Sequence, residues 1–254
     1  MLGLVCFLVC MQNEVQNTRR RYVLKLSGEA LREEDSKDNI SPEIVNRMAE
    51  EIAEAYRTNE DLELAIVIGG GNFWRGASAS ARGMDRSTAD YVGMLATVMN
   101  ALALESAIQD AGVPCVVQSA IHMDNVAEPF IRRKAENYLA KRRVVIFAGG
   151  IGSPFFSTDT TVALRANEMN ATQILKATGV DGVYDADPRT NPDAKRYENV
   201  TFTECLTKRL GVMDATAFSL CMENDLPIQI FSMDGVGNIV KVLSGECIGT
   251  VVSN

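Results

Sequence analysis

Short runs of apolar residues alternate with longer amphipathic segments along this chain, and this alternation constrains the fold more than any other feature. The runs at residues 62–68 and 144–148 are almost entirely apolar, and each is followed by consecutive glycines. Strands that are apolar at nearly every position are buried on both faces, as in a parallel sheet covered by helices. The pattern therefore predicts an α/β fold, a three-layer α/β/α sandwich around a mostly parallel central sheet.

The remaining elements follow from the same periodicities. Pro42 after Ser41 is typical of a helix start, because Ser caps the first turn and Pro fits its first position. Further strands are predicted at 22–26, 113–117, 173–176, 228–231 and 248–252, and further helices at 88–111, 127–139 and 214–223. Residues 185–199, rich in Asp, Pro and Asn, are predicted to form a loop. No repeat or linker divides the chain, so we expect a single domain over residues 21–254.

Residues 1–20 are predicted to be a flexible N-terminal extension. The apolar stretch 1–11 is shorter than the roughly 20 residues that span a bilayer, and it lacks the basic start of a signal peptide. Residues 12–21 are polar and then basic, which indicates a lead-in to the first strand. We therefore expect no membrane association and a dispensable extension.

Charge and residue usage exclude several classes of function. With 25 Lys and Arg against 33 Asp and Glu, the net charge of −8 does not favour extended nucleic-acid binding. The single histidine, His122, leaves little basis for a Ser-His-Asp hydrolase or a multi-histidine zinc site, and no metal site is predicted. The six cysteines contain no C-x-x-C pair, which favours free thiols in a reducing, cytoplasmic compartment.

Glycine turns follow three of the predicted strands, at Gly28, at residues 69–71 and at residues 149–152. Glycine lets main-chain N–H groups approach phosphate oxygens closely. A single turn of this kind is more simply explained by chain geometry. Three such turns with lysine or arginine nearby favour a phosphate site, although neither a Walker A motif nor a complete G-x-G-x-x-G occurs.

Phosphoryl transfer suits this set of residues, because its transition state requires positioning and positive charge more than a general base. Lys25 and Lys176 lie at the ends of predicted strands, so both ammonium groups are expected to enter one cleft. Asp159 and Asp214 stand at predicted helix starts. They either cap those helices or hold the lysines or Mg²⁺.

Six segments together resemble the bacterial UMP kinases (uridylate kinases) of the amino-acid-kinase superfamily, over nearly all of residues 20–252. The segments are 24–31, 67–76, 93–100 (GMLATVMN), 152–159, 176–188 and 212–218. The resemblance implies transfer of the γ-phosphoryl group of ATP to UMP, with Mg²⁺ accompanying ATP, in pyrimidine nucleotide biosynthesis. It also implies a homohexamer.

The resemblance assigns site residues position by position. It implies catalytic roles for Lys25, Lys176, Asp159, Arg75 and, less directly, Asp214. It implies contacts to ATP from Lys25, Leu26, Ser27, Gly28, Gly71, Arg75, Thr178, Tyr184 and Asp187. It implies contacts to UMP from Gly70, Asp90, Ile151, Gly152, Ser153, Pro154, Phe155, Phe156, Ser157 and Thr158.

The chain departs from the family pattern at a few positions. Ile151 stands where a hydroxyl residue is common, and Glu105 and Gln109 stand where some members carry cations linked to GTP activation. Two other functions remain open on the same scaffold: a sibling kinase with another acceptor, and a non-catalytic protein that binds or stores oxyanions. Retention of Lys25 and Lys176 favours an enzyme.

Overall fold

The computed structural model describes residues 19–33 and 36–254. Its strands are β1 (Arg20–Leu26), β2 (Leu62–Ile68), β3 (Cys115–Ser119), β4 (Glu128–Pro129), β5 (Val144–Ala148), β6 (Gln173–Thr178), β7 (Asn199–Thr201), β8 (Ile228–Ser232) and β9 (Thr250–Ser253). Its helices are α1 (Pro42–Thr58), α2 (Gly76–Ala81), α3 (Arg86–Asp110), α4 (Arg132–Ala140), α5 (Thr158–Glu168), α6 (Phe202–Lys208), α7 (Ala215–Glu223) and α8 (Asn238–Leu243), with a 3₁₀ turn at Gly28–Leu31. The predicted α/β class is confirmed.

Within the described residues the strands form one sheet in the order β4-β3-β5-β2-β1-β6-β8-β9-β7. Every pairing is parallel except that of β8 with β9. The chain builds outward from β1 in one direction through β2 and in the other through β6. Ligands of such sheets bind outside the carboxyl ends of the strands, where the strand order switches direction. The switch here lies at the end of β1.

Helices cover both faces of the sheet, which explains the continuously apolar strands. One core joins α1, α3 and α8 to Leu24 and Leu26 of β1, and the other joins α4, α5, α6 and α7 to Val23 of β1. Side chains alternate between the faces of a strand. Lys25 therefore shares the α5 face with Val23. Lys176 shares that face with Ile174, which belongs to the second core.

Most predicted elements are present, with shifted ends. The helix predicted at 88–111 starts at Arg86, because the Asp85 side chain accepts the backbone N–H of Thr88 and caps it. The predicted start of the helix at 127–139 was wrong. Glu128–Pro129 pairs with the end of β3 instead, and the helix begins at Arg132. The strand predicted at 248–252 starts at Thr250, and strand β7 was not predicted.

The prediction of a flexible lead-in over residues 12–21 was wrong for its last two residues, because Arg20 and Arg21 belong to β1. Their guanidinium groups pair with Asp61 and with Glu63. These ion pairs join β1 to the start of β2. The remaining predictions for the extension, including those for Cys6 and Cys10, concern residues outside the described ranges.

Helix α3 is the described element that could cross a membrane by length and composition alone. Half of that apolar stretch is buried inside the protein. Its buried side chains, among them Val98, Ala101 and Leu104, belong to the core beneath α1. The buried face of α3 is therefore part of the protein core.

Candidate active site

Two lysines meet one carboxylate at the carboxyl ends of the central strands. Lys25 on β1 and Lys176 on β6 are register partners across the parallel pair. The Lys176 Nζ lies 2.7 Å from Asp159 Oδ2, and the Lys25 Nζ lies 3.3 Å from Asp159 Oδ1. Lys176 also donates to the Val212 carbonyl. The structure therefore brings together the two lysines that the sequence assigned to one cleft.

The lysine pair carries more positive charge than its partner neutralises. Burial raises the pKa of the Asp159 carboxyl, but the charges of Lys25 and Lys176 outweigh burial and bring it below its ordinary value. Burial also lowers the pKa of Lys176, and the neighbouring Lys25 lowers it further, against the opposing effect of Asp159. Two cations on one anion leave a net positive charge, which suits a site for an anionic ligand.

Asp159 is not a helix cap. The cap of α5 is Ser157, whose hydroxyl oxygen accepts the backbone N–H groups of Asp159 and Thr160. The Asp159 side chain is thereby left to the lysines. Of the two interpretations that the sequence left open, capping or holding the lysines, the structure shows the second for this residue.

Asp214 does cap a helix, and its carboxylate also holds the start of α5. Its Oδ1 accepts the backbone N–H of Ala217 at 2.8 Å, and the carboxylate accepts the hydroxyls of Ser157 and Thr160. Its hydrogen bonds in the described part do not reach either lysine. Asp214 therefore fixes the helix that carries Asp159.

A cavity of about 270 Å³ opens beside the lysine pair. We call it the donor cavity. It is lined by Lys25, Ser27, Lys176, Ala177, Thr178, Gly179, Val180, Arg189, Gly211 and Val212. Arg189 adds a third cation at its rim and bonds Asp187 at 3.3 Å. The cavity is therefore markedly cationic.

A second cavity, of about 450 Å³, lies beyond the first turn of α5. We call it the acceptor cavity. Its lining comes from the turns after β2 and β5 and from α2, α3 and α5: Gly70, Gly71, Trp74, Arg75, Gly76, Ser78, Arg86, Asp90, Gly93, Met94, Thr97, Gly150, Ile151, Ser153, Phe156, Ser157, Thr158 and Thr161. Thr158 lines this cavity and the next residue, Asp159, binds the lysines. The lysine pair thus lines the donor cavity, and the carboxylate that it binds follows a residue of the acceptor cavity.

Glycine is required where the turns meet. A β-carbon on Gly28 would lie 2.5 Å from the Gly69 carbonyl oxygen, and one on Gly70 would lie 2.7 Å from the Gly93 carbonyl oxygen. Buried Asn72 and Asn100 exchange two hydrogen bonds at 2.8 and 2.9 Å, and Asn100 also donates to the Gly69 carbonyl. This packing fixes the turn after β2 against both β1 and α3.

The structure divides the assigned residues between the two cavities. Lys25, Ser27, Lys176 and Thr178 line the donor cavity. Gly70, Asp90, Ile151, Ser153, Phe156, Ser157 and Thr158 line the acceptor cavity, and so do Gly71 and Arg75, which the resemblance assigned to ATP.

Other assigned residues line neither cavity. Leu26 and Gly28 are buried, the Tyr184 hydroxyl donates to Asp181, and Asp187 binds Arg189. Gly152, Pro154 and Phe155 are also outside the lining sets. Sequence reasoning missed Trp74, Arg86, Thr97, Thr161 and Arg189. Only Arg189 gave a signal, as a cation in the loop after β6.

Fold and site together define a class of protein: an α/β protein with paired ammonium groups at the carboxyl ends of its central strands and a cavity on each side of the first turn of α5. Comparison with known proteins agrees. The model of the amino acid kinase family matches residues 20–232. A uridylate kinase of Erythrobacter litoralis is 54% identical over 235 residues, covering 92% of this chain and 98% of the relative.

Solved structures show the same similarity. A UMP kinase from Ureaplasma parvum is 40% identical with a TM-score of 0.86, covering 93% of this chain and 99% of that one. A UMP kinase from Bacillus anthracis is 36% identical with a TM-score of 0.87, covering 92% and 96%. The chain belongs to the amino acid kinase family and, within it, to the uridylate (UMP) kinases.

Proposed function

We infer that this chain is a nucleoside monophosphate kinase that transfers the γ-phosphoryl group of ATP to UMP, giving ADP and UDP. The observation that carries this inference is the pair of lysines on Asp159 at the donor cavity, with the acceptor cavity at the start of the helix that carries Asp159. A relative that is a uridylate kinase is 54% identical, over 92% of this chain and 98% of its own length. The reaction supplies a nucleoside diphosphate for pyrimidine nucleotide biosynthesis.

We assign one nucleotide to each cavity. ATP occupies the donor cavity, with its γ-phosphate at the ammonium groups of Lys25 and Lys176 and the remainder extending along β6 past Thr178. UMP occupies the acceptor cavity, with its phosphate beside the first turn of α5. A phosphate oxygen of UMP is already ionised near neutral pH, so it attacks the γ-phosphorus without a general base. The lysines neutralise the charge that passes between the two phosphates.

The other assigned residues position this exchange. Asp159 holds both ammonium groups at the point of transfer, and Asp214 holds the helix that carries Asp159. Arg75 lines the acceptor cavity and pairs with Glu29, two residues after Ser27 of the donor cavity. We assign Arg75 to the junction of the two nucleotides for this reason.

Mg²⁺ enters in this proposal as part of the substrate Mg·ATP. Among residues 19–33 and 36–254, no group of three or more His, Cys, Asp or Glu is arranged to hold a metal ion. Mg²⁺ commonly binds substrate phosphates with one or two carboxylates and several waters. In this proposal the ATP phosphates and waters supply most of the ligands, because the buried Asp159 Oδ1 already faces the Lys25 ammonium group at 3.3 Å.

We also propose a homohexamer in the cytoplasm. Tyr91, Leu95 and Met99 repeat every four residues on α3, and each is nearly half exposed. Large apolar side chains aligned on one helix face suit contact with a second copy. Buried free thiols at Cys115, Cys205 and Cys221 suit a reducing compartment.

A coupled assay of ADP release tests the function. The protein is supplied with Mg·ATP and each nucleoside monophosphate in turn, and turnover is expected with UMP. A Lys25→Ala variant is expected to lose about 100-fold or more in kcat while remaining folded. Turnover with a different acceptor would identify a sibling kinase, and no turnover with any acceptor would identify a binding or storage protein. Neither alternative is favoured by the relatives.

A further inference from the structure

We propose that Arg86 is a positioning residue for the acceptor. Its guanidinium group fixes the carboxylate of Asp90, and this carboxylate holds Phe155 in the backbone conformation that shapes the acceptor turn at residues 151–158. The proposal deepens the proposed function and rests on it, because it assigns Arg86 a role in UMP binding.

Arg86 and Asp90 lie one helical turn apart at the start of α3. The Arg86 Nε donates to both carboxylate oxygens of Asp90, each at 2.9 Å. The Asp90 side chain is 11% exposed, so its charge has little access to water. A partly buried carboxylate requires such a partner. Arg86 therefore satisfies Asp90 and restricts its orientation.

Asp90 also forms a hydrogen bond with Phe155, 65 residues later in the sequence. Its Oδ2 accepts the backbone N–H of Phe155 at 2.8 Å. Its Oδ1 packs against α2, where a β-carbon on Gly76 would lie 2.3 Å away. The carboxylate is thus wedged between α2, Arg86 and the acceptor turn.

Phe155 requires this support because its backbone is strained. Its φ is 72°, in the left-handed region that disfavours a side chain of this size. The residue as a whole is 67% exposed, so burial does not hold it in this conformation. The described contacts on Phe155 are the Asp90 carboxylate on its N–H and the Arg86 guanidinium 5.5 Å from its ring centroid. Both contacts depend on Arg86, which binds the Asp90 carboxylate and lies over the Phe155 ring.

The first experiment measures the Michaelis constants of Arg86→Met, which keeps the length of the side chain but removes its charge. The KM for UMP is expected to rise about tenfold, the scale of one lost charge-assisted hydrogen bond. The KM for ATP is expected to change less than about twofold, because the donor cavity shares no residue with this cluster. Arg82→Met, an exposed arginine outside both cavities, is the matched control.

The Arg86→Lys variant keeps the proposal testable if Arg86→Met fails to fold. Lysine keeps the charge but does not reproduce the planar guanidinium on both oxygens, so an intermediate KM for UMP is expected. An unchanged KM for UMP in both variants would overturn the proposal while leaving the function intact. Absence of UMP turnover in the unsubstituted protein would instead overturn the function.

The second experiment separates this indirect role from direct contact with UMP. Asparagine tolerates the left-handed region, so Phe155→Asn relieves the strain. The effect of Arg86→Met on the KM for UMP is measured with and without Phe155→Asn. We expect the tenfold effect to shrink to about threefold or less in the Phe155→Asn background. An equal effect in both backgrounds would overturn the proposal, because the effect of Arg86 would then not pass through the backbone of Phe155.

Discussion

Replacing Asp159 by asparagine removes the only negative charge placed between the two site lysines in the described structure, while nearly preserving the shape of the side chain. At an effective dielectric constant of about 20, the attraction between Asp159 and Lys176 at 2.7 Å is about 6 kcal/mol before desolvation. Desolvation of the charges offsets much of it, and removing one partner of a buried pair typically costs about 3–5 kcal/mol. Because the Asp159 side chain keeps 18% exposure, we expect about 3 kcal/mol.

For a chain of this size, that loss corresponds to a fall in Tm of about 6–12 °C. The kcat is expected to fall about 100-fold or more, since the two ammonium groups repel each other without the carboxylate and leave the transfer point. Thermal unfolding and steady-state kinetics measure the two effects. Asp193→Asn, at an exposed loop carboxylate, is the matched control.

The pH dependence gives an independent readout of the same variant. The pKa of Lys176 lies below its ordinary 10.5, and the charge of Asp159 opposes that fall. Activity that requires the ammonium form is lost as pH rises through this lowered pKa. Asp159→Asn lowers it further, so the alkaline limb of kcat should move to lower pH.

At acid pH, the stability that Asp159 contributes changes with pH in the opposite direction. The Asp159 pKa is depressed below 3.8, so its stabilisation is full above that pH and is lost as pH falls through the depressed value. The variant lacks this acid dependence. An unchanged alkaline limb with kcat within about twofold of the unsubstituted protein would refute the electrostatic reasoning.

Three further predictions concern the acceptor side and assembly. Asp90→Asn should raise the KM for UMP more than that for ATP in steady-state assays, and the reverse order would mean that the nucleotides occupy the opposite cavities. Gly70→Ala should destabilise the fold by about 1–3 kcal/mol, because the new β-carbon meets the Gly93 carbonyl oxygen at 2.7 Å; unaltered thermal unfolding would contradict the packing argument. Leu95→Glu should reduce the assembly size measured by analytical ultracentrifugation without unfolding the chain, whereas an unchanged sedimentation coefficient would exclude this face of α3 from the interface.

The central part of the fold was predictable because local patterns and burial agree there. The strands at Leu62–Ile68 and Val144–Ala148 have the predicted bounds, since apolar β-rich runs end at glycines. Parallel strands also imply one shared edge, which brought Lys25 and Lys176 together in the prediction and in the structure. The parts of the site that depend on the strand order could therefore be predicted from the sequence.

Tertiary contacts account for what the sequence did not reveal. Glu128–Pro129 lies in a segment with helical periodicity, but the edge of β3 provides hydrogen bonds that override it. The Asp214 carboxylate meets the hydroxyl of Ser157, 57 residues away, and Arg86 supports Phe155 through Asp90. The spacing in the sequence carries no signal for such contacts.

Glu105 and Gln109 illustrate the same limit at two positions where the sequence departs from the family pattern. In the structure the Glu105 carboxylate accepts the backbone N–H of Val117, and the Gln109 amide donates to the carbonyl of Cys115. Both side chains join α3 to β3. Exchange of either side chain for a cation would therefore remove one of these hydrogen bonds.

A structure of the complex with ADP, aluminium fluoride and UMP tests the account most directly, since planar aluminium fluoride imitates a phosphoryl group in flight. We predict that the mimic lies between the two nucleotides, within hydrogen-bonding distance of the Nζ atoms of both Lys25 and Lys176. A mimic bound elsewhere, or contacted by neither ammonium group, would contradict it.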